Sequence, residues 1–186
     1  MRRVIRRDYL ARRAADAVGP IEHGMECYGL SVGAFSLTDL LLHCLDATGP
    51  ADVTISTWTA AGADIEEAYR LVGSGAIRSI RFIVDFSFPS RQPGYCAALR
   101  ERFGDDAIRV TKNHAKFVVV RNEDWSLVVR TSMNLNLNAR LESFEISDDP
   151  AMADFLDAMI AMVFERRTGS ETLDARPGVT CPTSTR

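Results

Sequence analysis

The sequence predicts an α/β domain built on a mixed β-sheet flanked by helices. Strand-like and helix-like segments alternate along most of the chain. One run, Phe117-Val118-Val119-Val120, is apolar throughout and mostly β-branched, the composition of a strand buried on both faces. With 186 residues, 46% of them hydrophobic and 25% charged, the chain suits one globular domain with a substantial core.

Residues 1 to 18 are read as a basic helix or arm. They hold six arginines and two aspartates, net +4, which leaves −7 for the remainder of a chain whose total is −3. Such a segment lies along nucleic acid or an acidic partner, or forms a solvated helix face. The main domain is expected over 19–167. Its first elements are a strand from Glu26 to Val32, a helix from Ser36 to Ala47 and, after Gly49-Pro50, a strand from Asp52 to Thr57. A helix from Asp64 to Val72 follows, capped by Asp64 and ended by Gly73-Ser74-Gly75. Next come a strand from Arg78 to Phe86 and a loop marked by Pro89 and Pro93, entering a helix that runs through Phe103.

The run 117–120 and the stretch Trp125 to Val129 read as a hairpin around the charged cluster Arg121-Asn122-Glu123-Asp124. Pairing Val120 with Trp125 places His114 opposite Thr131, with Ser132 and Asn134 at the same sheet end. Ser143 to Ser147 alternates polar and apolar, so Glu145 faces away from Phe144 and Ile146. Asp149-Pro150 starts a final helix in which Phe155, Leu156, Met159, Ile160 and Val163 form a core or dimer stripe. Residues 168–186 are rich in Gly, Pro, Ser and Thr and are expected to be disordered.

Several classes of function are disfavoured. No apolar stretch reaches the length of a membrane span, and the arginine-rich start lacks a signal core, so a cytoplasmic location without stable membrane association is expected. Cys27, Cys44, Cys96 and Cys181 show no zinc-type spacing, and no metal or cofactor is expected. His43 is read as a packed helix histidine and Trp58 as a packing residue, while His23 and His43 lack a lysine or asparagine at matching spacing.

Of twenty-two basic residues only Lys112 and Lys116 are lysines, and Lys116 stands in His114-Ala115-Lys116. An ammonium is a compact point charge suited to holding a phosphate while a neighbouring imidazole attacks it. His114-x-Lys116, followed by Thr131-Ser132-Met133-Asn134 and by Glu145 eleven residues later, resembles one copy of the phospholipase D superfamily motif. The spacing is most similar to that of small bacterial endonucleases of the superfamily, which carry one motif per chain. His114, Lys116, Ser132, Asn134 and Glu145 match. The family's Asp falls on Arg121, with Asp124 as a displaced substitute, and its Gly falls on Thr131.

The resemblance implies a phospholipase D-like fold and a nuclease working through a phosphohistidine. His114, Lys116, Asn134 and Glu145 would be the catalytic set, with Ser132, Lys112 and Arg130 binding substrate. A second histidine is needed as the acid, and the chain shows no internal repeat, so a homodimer joining two copies of His114 is expected. Glu145 is expected to orient the imidazole. The expected partner is nucleic acid, DNA before RNA. The alternatives are a phospholipid phosphodiesterase or phosphatidyl transferase, and a nucleic-acid-binding protein of the same fold without turnover.

Overall fold

The computed structural model describes residues 2–6, 8–137 and 139–165. Eight strands form one sheet: β1 (Arg2–Ile5), β2 (Met25–Ser31), β3 (Ala51–Thr57), β4 (Ile77–Asp85), β5 (Ile108–Thr111), β6 (Phe117–Arg121), β7 (Ser126–Thr131) and β8 (Glu142–Asp148). Their order across the sheet is β1-β2-β8-β7-β6-β3-β4-β5. The β1/β2, β3/β4 and β4/β5 pairs are parallel and the other four are antiparallel, so the sheet is mixed.

Helices α1 (Ala14–Val18), α2 (Leu37–Thr48), α3 (Gly62–Gly73), α4 (Phe88–Arg91) and α5 (Pro93–Phe103) contribute to the large core on one face. Here Val53, Ile55, Phe82, Val84, Val118, Val120, Val129, Phe144 and Ile146 meet Leu40, Leu41, Ile65 and Leu99. The other face is covered over its central strands by α6 (Pro150–Glu165), where Ala153, Leu156, Ile160 and Val163 meet Ile83, Phe117, Val119 and Val128. Residues Phe117 to Val120 are therefore buried on both sides, as their unbroken apolarity predicts. Phe155, expected in the α6 stripe, is instead 67% exposed. It lies one step off the buried spacing of Ala153, Leu156, Ile160 and Val163.

Four other expectations need correction. The hairpin register is shifted: Val120 pairs with Leu127 and Arg121 with Ser126, and the Thr131 amide donates to the Lys116 carbonyl (3.2 Å), so Lys116 rather than His114 lies across from Thr131. The reason is partly tertiary. Arg121 stays in the strand because its guanidinium bonds Asp154 and Asp157 of α6, both at 2.7 Å, while Asn122 Oδ1 accepts from the amides of Asp124 and Trp125 and makes the turn one residue later. Because each strand moves by one, the pairing slips by two and every side chain keeps its face.

Asp64 does not cap α3, whose N-cap is Ala61. Asp64 lies inside the first turn, where Thr38 Oγ1 donates to its buried carboxylate at 2.5 Å. Burial pushes that carboxyl up against the hydrogen bond that lowers it. Between Pro89 and Pro93 stands the short helix α4 rather than a plain loop. Within residues 1 to 18, Arg2–Ile5 form edge strand β1 and Ala14–Val18 form α1, and Arg2, Arg3 and Arg13 pair with Glu22, Glu26 and Asp16. The segment 168–186 lies outside the described residues.

Candidate active site

Strand directions bring one set of termini together. The C-terminal ends of β3, β4, β5 and β7 and the N-terminal ends of β6 and β8 share one end of the sheet. That end carries Trp58, Asp85, the loop from Lys112 to Lys116, Ser132, Asn134 and Glu142. Arg121, where the family motif has its Asp, terminates β6 at the opposite end and ties the sheet to α6. Asp124 is exposed in the far turn. Neither Arg121 nor Asp124 reaches the His114 loop.

Asn113 pins that loop. Its buried amide Nδ2 donates to Ser56 Oγ (3.0 Å), Thr57 O (3.2 Å) and Ile83 O (3.1 Å), and its Oδ1 accepts from the Ala115 amide (3.0 Å). Its own amide donates to Asp85 Oδ2 (3.1 Å), and Ser56 Oγ donates to the Ala115 carbonyl (2.9 Å). Burial pushes the Asp85 carboxyl up, but the Ser87 hydroxyl and amide, the Asn113 amide and the charge of Arg91 together hold it below its ordinary value. The Asn113 amide and the Ala115 carbonyl on either side of His114 are thus held by side chains of β4 and β3, and the Ala115 amide by Asn113 itself. Sequence reasoning missed Asn113, Ser56 and Asp85. The available signal was a polar residue, Asn113, directly before His114 and among strand ends.

His114 is exposed and Lys116 half-buried. The Lys116 ammonium donates to the His114 carbonyl at 2.9 Å and stands 3.3 Å from Nδ1 and 3.5 Å from Nε2 of the same residue. Burial holds the ammonium below its ordinary value, with the Glu142 and Asp85 charges opposing that shift. The Trp58 ring lies 6.2 Å from the imidazole, centroid to centroid, tilted by 58°. Trp58 is therefore a neighbour of the candidate nucleophile rather than remote packing.

Ser132 bonds Glu142 through its hydroxyl, which also accepts from the Ser143 amide (2.9 Å). Thr131, in the position of the family's Gly, donates its hydroxyl to Ser143 O (2.7 Å) and accepts from the Met133 amide (3.0 Å), so its side chain closes the β7 end. Asn134 is half-buried with its Oδ1 unpartnered among the described residues. Glu145 is paired in register with Arg130 and forms an ion pair with its guanidinium; Glu26 Oε1 lies 4.0 Å from the same arginine. The carboxylate whose charge acts on Lys116 from β8 is Glu142. His114, Lys116, Ser132 and Asn134 therefore share one sheet end, whereas Arg130 and Glu145 engage each other on the strands behind it. Lys112 is exposed on the loop leading to His114.

Comparison with solved structures identifies the fold. The structure of Nuc from Salmonella typhimurium, a phospholipase D family member, matches with a TM-score of 0.54 at 12% identity, over 75% of this chain and 93% of that one. The chain has the phospholipase D fold. NucT from Helicobacter pylori matches with a TM-score of 0.55 at 17% identity, over 75% of this chain and 96% of that one. Polyphosphate kinase from Porphyromonas gingivalis matches with a TM-score of 0.56 at 11% identity, over 79% of this chain but 27% of that larger one. No protein-family model and no curated protein matches the sequence. Among the described residues of this phospholipase D fold, no helix is long and apolar enough to cross a membrane.

Proposed function

We propose that the protein is a phosphodiesterase acting on nucleic acid, DNA before RNA, through a covalent phosphohistidine on His114, in a homodimer that brings two His114 rings to one site. The observation that carries this reading is the seating of the Lys116 ammonium against the His114 carbonyl and ring, on a loop pinned by Asn113 where six strand ends meet. Likeness in fold to Nuc, a phospholipase D family member, and to NucT, along nearly the whole length of each, supports it.

In this reading Lys116, the Asn134 amide and the Ser132 hydroxyl clamp the anionic diester with donors that need no metal. One ring nitrogen of neutral His114 attacks phosphorus. The bond from phosphorus to the leaving oxygen breaks, and protonated His114 of the partner subunit supplies the proton to that oxygen. Water then attacks the phosphohistidine, the P–N bond breaks, and the partner's imidazole takes the water proton. Glu145 supports the site from behind by fixing Arg130, its partner across β7 and β8.

The test is incubation of the purified protein with DNA, RNA and phospholipid vesicles in EDTA. Nucleic-acid cleavage that disappears in His114→Ala, with the circular dichroism melt unchanged, is expected. Cleavage retained by His114→Ala removes the assigned nucleophile, and lipid turnover in place of nucleic-acid cleavage overturns the substrate. Sedimentation of the active protein as a monomer overturns the shared site.

A further inference from the structure

Arg91 closes α4 beside the candidate site and is held differently from most arginines of this chain. Arg78, Arg102 and Arg130 each face a carboxylate. Arg91 instead lays its guanidinium over the Trp58 ring, Cζ 3.6 Å from the centroid, and donates Nε to Ser87 Oγ at 2.9 Å. Ser87 in turn bonds the buried Asp85 through its hydroxyl and donates its amide to it at 3.0 Å. The platform is itself braced: Thr57 Oγ1 donates to Thr59 O (2.7 Å), and Thr59 Oγ1 donates to Gln92 Oε1 (2.7 Å). Among the described residues no ion pair engages Arg91, and its two terminal nitrogens have no hydrogen-bond partner, although the residue is exposed.

A guanidinium whose plane and Nε are both fixed keeps its two-nitrogen edge for an outside anion, and that edge matches phosphate oxygens in bidentate geometry. The Trp58 ring neighbours both this fork and, at 6.2 Å between centroids, the His114 imidazole, so one indole links the fork to the candidate nucleophile. A diester with a single phosphate, such as a phospholipid, brings one anion to the site. Successive phosphates of a nucleic-acid strand are separated by a whole sugar, and each carries a charge that a fixed cation can neutralise.

We infer that Arg91 binds the phosphate flanking the one at His114, so that the site reads a polynucleotide strand rather than an isolated diester. This deepens the nuclease reading above and rests on it. The experiment uses the His114→Ala protein, which holds substrate without cutting it, and a fluorescein-labelled single-stranded DNA oligonucleotide, followed by anisotropy over a salt series. Adding Arg91→Gln is expected to weaken binding about tenfold, as for loss of one charge-assisted contact. The slope of log affinity against log salt is expected to fall by about 0.7, the share of one phosphate contact on a single strand. Arg91→Lys, which keeps the charge, is expected to restore most of the slope.

An unchanged affinity and slope in Arg91→Gln overturn the inference, as does an inorganic polyphosphate chain that binds more tightly with the same dependence on Arg91. The nuclease reading is read out separately. Cleavage by the protein with His114 intact, together with Arg91-independent binding, removes this inference alone. No cleavage, together with a lowered slope in Arg91→Gln, removes the nuclease reading and leaves the anion site.

Discussion

Replacing Asn113 by alanine tests how the candidate site is held in place. The side chain is 9% exposed and makes four hydrogen bonds, three as donor to Ser56, Thr57 and Ile83 and one as acceptor from Ala115. A buried hydrogen bond contributes about 1 kcal/mol net, and a partner left unsatisfied costs about 1–3 kcal/mol. The Ala115 amide belongs to an exposed residue and regains water, whereas the Thr57 and Ile83 carbonyls lie among buried residues and do not. The sum is about 3 kcal/mol, a large fraction of the ~5–15 kcal/mol by which a domain is stable. With a urea slope of roughly 2 kcal/mol per molar, the midpoint should fall by about 1.5 M. Cleavage should fall as well, because His114 and Lys116 lose their anchor to β3 and β4. Urea melts followed by circular dichroism, paired with oligonucleotide cleavage in EDTA, measure both. Asn113→Asp keeps the acceptor for Ala115 but sets a buried carboxylate against the Thr57 and Ile83 carbonyls and beside Asp85, so it should melt no higher than alanine. A midpoint within about 0.3 M of the parent for Asn113→Ala, with activity retained, refutes the anchoring argument; activity lost at full stability reassigns Asn113 to substrate contact.

Lys116→Met should abolish cleavage yet melt no lower than the parent at pH 7. Burial depresses the folded-state value of this lysine below that of the unfolded chain, so its charge opposes folding at neutral pH. That cost fades as pH rises through the depressed value towards the ordinary 10.5, so the difference between the two proteins should narrow in melts at pH 10. Gly29→Ala should destabilise by about 1–3 kcal/mol in urea, since its new Cβ would stand 2.4 Å from Phe144 Cζ and the fully buried ring would have to move. Cys44 is 0% exposed and its thiol is pushed up to about 12 by burial, so iodoacetamide should leave it unmodified in the native protein and modify it in urea, as read by mass spectrometry.

Periodicity was a reliable guide where one face or both faces of an element are buried. The strands at Met25–Ser31 and Phe117–Arg121 and the helix at Leu37–Thr48, with its Ser36 and Asp39 capping box, are legible for this reason. The short edge strands β1 and β5 were not, because Arg2–Ile5 and Ile108–Thr111 carry four residues each and arginines that ordinarily mark solvent. The hairpin register depended on Arg121 reaching Asp154 and Asp157 on a helix some thirty residues on, which no local pattern encodes. For the site, the residues named from the His114 and Lys116 spacing and the 131–134 run come together at one end of the sheet. Asn113, Asp85 and Arg91 matter through contacts across strands and were invisible singly. Thr131 and Arg121, the two departures from the family motif, become intelligible once placed: one seals a strand end and the other clasps α6.

Strand β2 has as its neighbour β8, the last strand among the described residues, and Gly29 meets Phe144, 115 positions further along the sequence. Such a pairing is among the slowest to form, since chain entropy must be given up before any contact rewards it. While the protein is being synthesised, the early strands have no β8 to join and the side later shielded by α6 stays wet. Ser132, Asn134 and Glu142 leave the ribosome after β3, β4 and β6, whose ends stand beside them. The candidate site is therefore complete only with the final third of the polypeptide, and a nascent chain near its own messenger carries it unfinished.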